Sequence, residues 1–294
     1  MRLPVNEIVN GRKTFFITPD TSLMPELYLE DFFVLGYECY FIENDKRVSL
    51  DKKIDIIISL FKDVIIFFNI DYNSSEIDWY SYIKNLTASY GNKLSIGVLY
   101  TKRQNKEERA RIEKKYLFDL GICCGCIQLD YQKKNNFILI EKILYANQAQ
   151  GRRKNIRALC PSSCTYSLNY NGNQITGTIQ DVSLSHFTAC DRAGKLNVKL
   201  YEKIRDIHIN VQGYIFRADA VLLTERQTGS EKIFVFAFTD SAGHNGLDQR
   251  IKNFLVSGIY KLMEYNCINL LNEIYTRASK TEDISNILEF NLNA

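Results

Sequence analysis

The sequence lacks any uninterrupted apolar run long enough to cross a membrane. Its most apolar stretch, residues 54–70, is broken by Asp55, Lys62 and Asp63. The first residues, with Arg2, Pro4, Asn6 and Glu7, contain no apolar core of signal-peptide length. Both absences point to a cytoplasmic protein with no membrane insertion. A large charge excess is missing too. The formal net charge is +3 over 294 residues, too small to imply a nucleic-acid or membrane surface without local clustering. No glycine-rich phosphate loop occurs. Eight cysteines in a chain of this size do not form a disulfide framework. Cys160 and Cys164 are four apart, but no second Cys or His pair at ligand spacing follows, so neither a metal nor a cofactor is expected. His208 and His244 are lone histidines, and no nucleophile–base pair argues for an enzyme.

What is present reads as two domains. A hydrophobic fraction of 46% and a charged fraction of 24% are those of a globular chain. Residues 32–41 form the first convincing strand. Ser49 can cap a helix running to about residue 61. The continuous apolar run 64–68 has the character of a strand buried on both faces. Ser75 and Asp78 resemble a capping box opening a helix to residue 90. A strand over 94–100, a charged helix over 106–120, a strand over 122–129 and a helix over 136–148 follow. This alternation predicts an α/β domain with a parallel-type sheet over residues 1–148. Asn69, Asp71, Thr101 and Lys102 fall at strand ends, where such sheets carry ligands. Asp71 and Thr101 resemble the sites of a phosphoacceptor receiver. The acids after the first strand, Glu43 and Asp45, are separated, which argues against one that works.

After residue 158 the pattern changes. Short strands over 165–170, 174–180, 187–190, 207–216, 218–224 and 232–239 are linked by turns, Asn171-Gly172 being a hairpin signal. They predict an all-β, six-stranded antiparallel barrel over 159–243. A helical segment over 244–278 closes it, with Ile251, Phe254, Leu255, Ile259 and Leu262 on one face. Residues 279–294 read as a flexible tail.

Between the domains lies a basic hinge, residues 149–158, carrying Arg152, Arg153, Lys154 and Arg157. Arginines on a seam are suited to clamp anions, because the guanidinium fork matches phosphate bidentately. Arg153 and Arg157 are spaced Arg-x-x-x-Arg, and Asp181 and Ser183 stand as Asp-x-Ser on the turn leaving a strand. Together these motifs resemble the PilZ domain family over about residues 151–262. The resemblance implies a cyclic di-GMP effector. Arg153 and Arg157 would match the linker arginines, and Asp181 and Ser183 the barrel motif. Arg152, just before the motif, would favour a stacked pair of ligand molecules. His186 stands where the family pattern, Asp-x-Ser-x-x-Gly, has glycine, and its ring would either block guanine or stack on it. The two-domain layout resembles the spirochaetal PilZ proteins, which place a family-specific domain before the barrel.

The chemistry is consistent with that implication. Arginine can wrap phosphates, present its fork to guanine O6 and N7, and stack on the base. A carboxylate can accept from guanine N1–H and N2–H₂, and a serine can add a hydroxyl contact. Binding would order the hinge and change the angle between the domains, signalling to an unknown protein partner in motility or surface behaviour. Two other readings stay open. One is a degenerate interaction module whose Asp181 and Ser183 only stabilise a turn. The other is a nucleic-acid binder using the hinge with Lys102, Arg103, Lys106, Arg109, Arg111, Lys114 and Lys115. Against it, Glu107, Glu108 and Glu113 interleave those charges.

Overall fold

The computed structural model describes residues 10–17, 27–43, 48–61, 63–71, 77–91, 94–101, 105–130, 132–191, 193–228 and 231–281. The chain divides into two compact units, residues 1–154 with 268–294, and residues 155–267.

The first unit is built on a five-stranded parallel sheet. Its elements are β1 (Thr14–Ile17), α1 (Leu27–Val34), β2 (Cys39–Ile42), α2 (Leu50–Leu60), β3 (Val64–Asn69), α3 (Trp79–Tyr90) and β4 (Leu94–Thr101). Then come α4 (Lys106–Glu113), which continues as a π-helix over Lys114–Asp119, β5 (Cys126–Leu129) and α5 (Lys133–Ala146). The strand order is β2-β1-β3-β4-β5. Every residue of β3 is buried, as its unbroken apolar run requires between two helical layers. Phe16 stacks on its ladder partner Phe67, with ring centroids 5.2 Å apart.

Gly97 pairs with Phe67 on the other side. A Cβ there would stand 2.5 Å from the Phe67 ring, so glycine is needed for the ring to lie flat on the sheet. Gly97→Ala is expected to cost about 1–3 kcal/mol by overpacking. Chemical denaturation checks this, and an unchanged midpoint would contradict it.

The structure corrects several expectations in this unit. Residues 32–41 are not one strand. Leu29, Phe32 and Phe33 bury themselves at helical spacing in α1, and Gly36, at φ +89°, ends the helix before β2. The strand β1, only four residues long, carried no separate signal. The fifth strand begins at Cys126 and not at residue 122, because Gly125 sits at φ +77°. Cys123 and Cys124 therefore lie in the preceding loop. Asp78 alone caps α3, accepting from the Tyr80 N–H; Ser75 lies outside the described residues. Ser49 occupies the cap position of α2 without a side-chain cap bond. Asp71 has a structural use: its Oδ2 accepts the Thr101 N–H at 2.5 Å, tying the ends of β3 and β4. Lys102 and Asp45 lie outside the described residues.

The second unit is a closed antiparallel barrel. Its strands are β6 (Ala158–Leu159), β7 (Thr165–Tyr170), β8 (Asn173–Val182), β9 (His186–Asp191), β10 (Lys203–Val211), β11 (Tyr214–Thr228) and β12 (Glu231–Thr239). The order β6-β8-β7-β10-β11-β12-β9, with β8 also pairing β9, closes a ring of six on which β6 is a short appendage. The expected fold class is thus present in both parts. Asn171 and Gly172 make the tight hairpin between β7 and β8, both at positive φ. Gln212 and Gly213 do the same between β10 and β11, which splits the expected strand over 207–216. Phe187 stacks on Phe236 and Phe238 at 5.1 and 5.3 Å to fill the interior.

The closing helix α6 (Gln249–Thr281) is continuous. Leu255, Ile259 and Leu262 are fully buried, but Phe254 is exposed and packs at a tilt on Tyr214. Residues 282–294, most of the expected tail, lie outside the described residues. Among the described residues no helix is long and apolar enough to cross a membrane.

Candidate functional site

The site is assembled on the rim of the barrel, where β6, β8 and β9 run side by side. Leu159 and Ala158 of β6 pair with Asp181 and Val182 of β8. Arg157 immediately precedes β6, so this pairing delivers its side chain to Asp181. The β8–β9 ladder slips between Ile179 and Asp181, a bulge that bends β8 just before the carboxylate.

Arg157 and Asp181 form an ion pair with Nη1 and Oδ1 3.7 Å apart. That separation is too long for a hydrogen bond. Asp181 Oδ1 is sealed from solvent and has no hydrogen-bond partner. The hydroxyl of Thr188, opposite Asp181 in the ladder, is in the same condition. Buried polar atoms are nearly always bonded, and leaving one unbonded costs on the order of 1–3 kcal/mol. Two such atoms on facing ladder positions mark a stretch with unused bonding capacity. The Arg157 side chain is 31% exposed and the Asp181 side chain 16%, so the pair is within reach of a ligand.

The turn from β8 to β9 is held by Ser183, which is buried. Its Oγ accepts from the N–H groups of Ser185 and His186 at 3.3 and 3.1 Å, and its own N–H donates to the His186 carbonyl at 2.8 Å. Ser183 is therefore occupied with shaping the turn. His186 opens β9 and pairs with Ala237 as an ordinary strand residue. It is absent from the described non-glycine residues of positive φ. Nothing in this backbone needs glycine at that place, so histidine is accommodated without strain. Its Nδ1 meets Ser185 Oγ at 2.7 Å.

Burial, and then the nearby Arg157 charge, pull the His186 pKa below the ordinary histidine value; Asp181 opposes them. The ring is thus neutral at neutral pH. Because the unfolded chain takes up that proton more readily, the barrel is expected to lose stability as pH falls below about 6.5. His186→Asn is expected to flatten this slope in melts between pH 7.5 and 5.5. An unchanged slope would contradict the assignment.

Of the other residues singled out in the sequence, Arg152 and Arg153 are exposed and end the first unit. Arg153 Nη1 donates to Asn10 Oδ1 at 3.0 Å. The barrel itself brings together Arg157, Asp181, Ser183 and His186. Sequence reasoning missed Ser185 and Thr188, which no motif flags. Elsewhere the basic helix spends part of its charge internally: Arg109 pairs with Glu113 at 2.8 Å, and Lys115 sits 4.3 Å from the Tyr80 ring centroid. Among the described residues no cluster of three His, Cys, Asp or Glu side chains could hold a metal ion.

No family model matches the chain, and no curated protein matches it. Among solved structures it is similar to the PilZ domain of YcgR from Escherichia coli with c-di-GMP, at 16% identity and a TM-score of 0.34, covering 41% of this chain and 98% of that one. It is also similar to the K. pneumonia MrkH–c-di-GMP complex, at 12% identity and a TM-score of 0.32, covering 46% and 56%. The Bacillus subtilis motility inhibitor MotI aligns at 11% identity and a TM-score of 0.30, covering 37% and 50%. The match thus spans about half the length of the MrkH and MotI chains.

Proposed function

We propose that the chain is a cyclic di-GMP effector of the PilZ type, acting in the cytoplasm as a sensor and not as an enzyme. One observation carries this reading. Arg157 and Asp181 stand together, 3.7 Å apart, with the carboxylate oxygen lacking a hydrogen bond. A guanine edge is the complement of such a pair. Its O6 and N7 accept from a guanidinium, and its N1–H and N2–H₂ donate to a carboxylate. Binding turns the Arg157 fork toward the ligand and opens Asp181 Oδ1 to the base. His186, neutral and beside both, offers a ring face for stacking. Arg153, four residues before Arg157, and Arg152 supply charge for the phosphates. The ligand orders the hinge over residues 149–158 and changes the orientation of the two parts, and a protein partner reads that change.

A second reading is favoured by Ser183, whose hydroxyl is already consumed by the turn. On that reading the barrel is an interaction module without a ligand. Thermal melts with cyclic di-GMP separate the two. A specific ligand at 100 times its Kd is expected to add about 2.7 kcal/mol of stability, and GMP at the same concentration nothing comparable. No shift with saturating cyclic di-GMP would leave the module reading standing.

A further inference from the structure

The loop between β6 and β7 reads Cys160-Pro161-Ser162-Ser163-Cys164. It is a tight turn closed by the Cys164 N–H on the Pro161 carbonyl at 2.9 Å. Both cysteines are fastened to the same stretch of β8. The Cys160 N–H donates to the Gln180 carbonyl at 2.8 Å, and the Ile179 N–H donates to the Cys164 carbonyl at 3.0 Å. These are the two residues directly before Asp181. The Cys160 Sγ–H points to the Ala158 carbonyl at 3.9 Å. The neighbouring thiols pull each other's pKa apart, Cys164 down and Cys160 up, with the Asp181 charge raising Cys160 further. Cys160 is half-buried and Cys164 fully buried.

We propose that Cys160 and Cys164 form a reversible disulfide that tunes the Arg157–Asp181 site; this rests on the cyclic di-GMP reading above. The more accessible Cys160, as thiolate, attacks a low-molecular-weight disulfide such as oxidised glutathione. A mixed disulfide forms and one small thiolate leaves. The Cys164 thiolate then attacks Cys160 Sγ, closing the internal bond and releasing the second small thiolate. Two electrons pass to the small disulfide, and the two protons lost by the cysteines end on the released thiols or in solvent. Cys164, drawn below the ordinary thiol range by its Cys160 neighbour, is the ready resolving thiolate, whereas Cys164, burial and Asp181 hold Cys160 above that range, so the first attack is the slow step.

Closing the bond brings the sulfurs to about 2.0 Å. Cys160 is drawn toward the turn, and with it β6 and Arg157, three residues upstream. Small displacements of a positioned group are costly, so the oxidised form is expected to bind cyclic di-GMP about tenfold more weakly.

The test equilibrates the full chain with oxidised glutathione or with dithiothreitol, maps its disulfides by peptide mass spectrometry, and titrates cyclic di-GMP calorimetrically. The expected result is a Cys160–Cys164 crosslink, the tenfold loss, and full recovery on reduction. Cys160→Ser, a half-buried position, is expected to keep the reduced affinity under the same oxidant. Absence of that crosslink at equilibrium, or a crosslink with unchanged affinity, overturns the proposal. Failure of the reduced protein to bind is a different result: it removes the ligand reading and the tuning with it, while the mapped crosslink alone decides whether the disulfide forms.

Discussion

Replacing Arg157 with alanine is expected to weaken cyclic di-GMP binding by roughly 30- to 1,000-fold, about 2–4 kcal/mol, the range of an arginine hot spot. The fork alone can meet guanine O6 and N7 while remaining beside the carboxylate that takes the opposite edge. Arg157→Lys keeps the charge and loses the fork, so it is expected to recover only a small part of the affinity. The same substitutions should leave the melting temperature nearly unchanged without ligand. The ion pair is 3.7 Å long and its arginine is 31% exposed, which places its own contribution near that of a surface pair, about 0–1 kcal/mol. An alanine variant that binds like the wild type would remove Arg157 from the site. One that unfolds would show that its role is structural.

Phe187→Ala is expected to produce the largest loss of stability in the barrel. Phe187 is fully buried on β9, stacks on Phe236 and Phe238, and lies 6.4 Å from the Tyr166 ring. Truncation leaves a ring-sized cavity among side chains anchored on β7 and β12, which cannot readily collapse into it. The cost of such a substitution is about 3–5 kcal/mol. Denaturant titration measures it. A loss under about 1 kcal/mol would mean that the ring of strands can close over the gap. The position also matters to the site, since Phe187 follows His186 directly and pairs with Val182, one residue beyond Asp181.

The alternation of apolar runs in the first half, and the hairpin signals in the second, made the two fold classes legible in the sequence. What was not legible has physical causes. The run at residues 32–41 is apolar at nearly every position, so it satisfies a helical and a strand period alike. Only tertiary packing decides that Phe32 and Phe33 sit on α1. The four-residue β1 lies inside the sheet, between β2 and β3, yet it is too short to show a period. The turn at Gln212-Gly213 was obscured by apolar residues on both sides.

The site was partly legible. The Arg-x-x-x-Arg and Asp-x-Ser spacings identified Arg157 and Asp181 as residues to watch, and the β6–β8 pairing places them together. The spacing could not reveal that Ser183 turns inward to hold the 183–186 loop, nor that His186 needs no glycine-like backbone. Nor could it reveal that the Cys160–Cys164 turn is fastened to β8 beside Asp181, since that depends on two main-chain bonds to the neighbouring strand.

The most direct test is a calorimetric titration of the reduced full chain with cyclic di-GMP, beside Asp181→Ala and an Arg153→Ala, Arg157→Ala double variant. The account expects saturable binding at micromolar or lower Kd, lost in both variants while their folds persist by circular dichroism. Absence of heat from the wild type, or equal affinity in all three proteins, would contradict it.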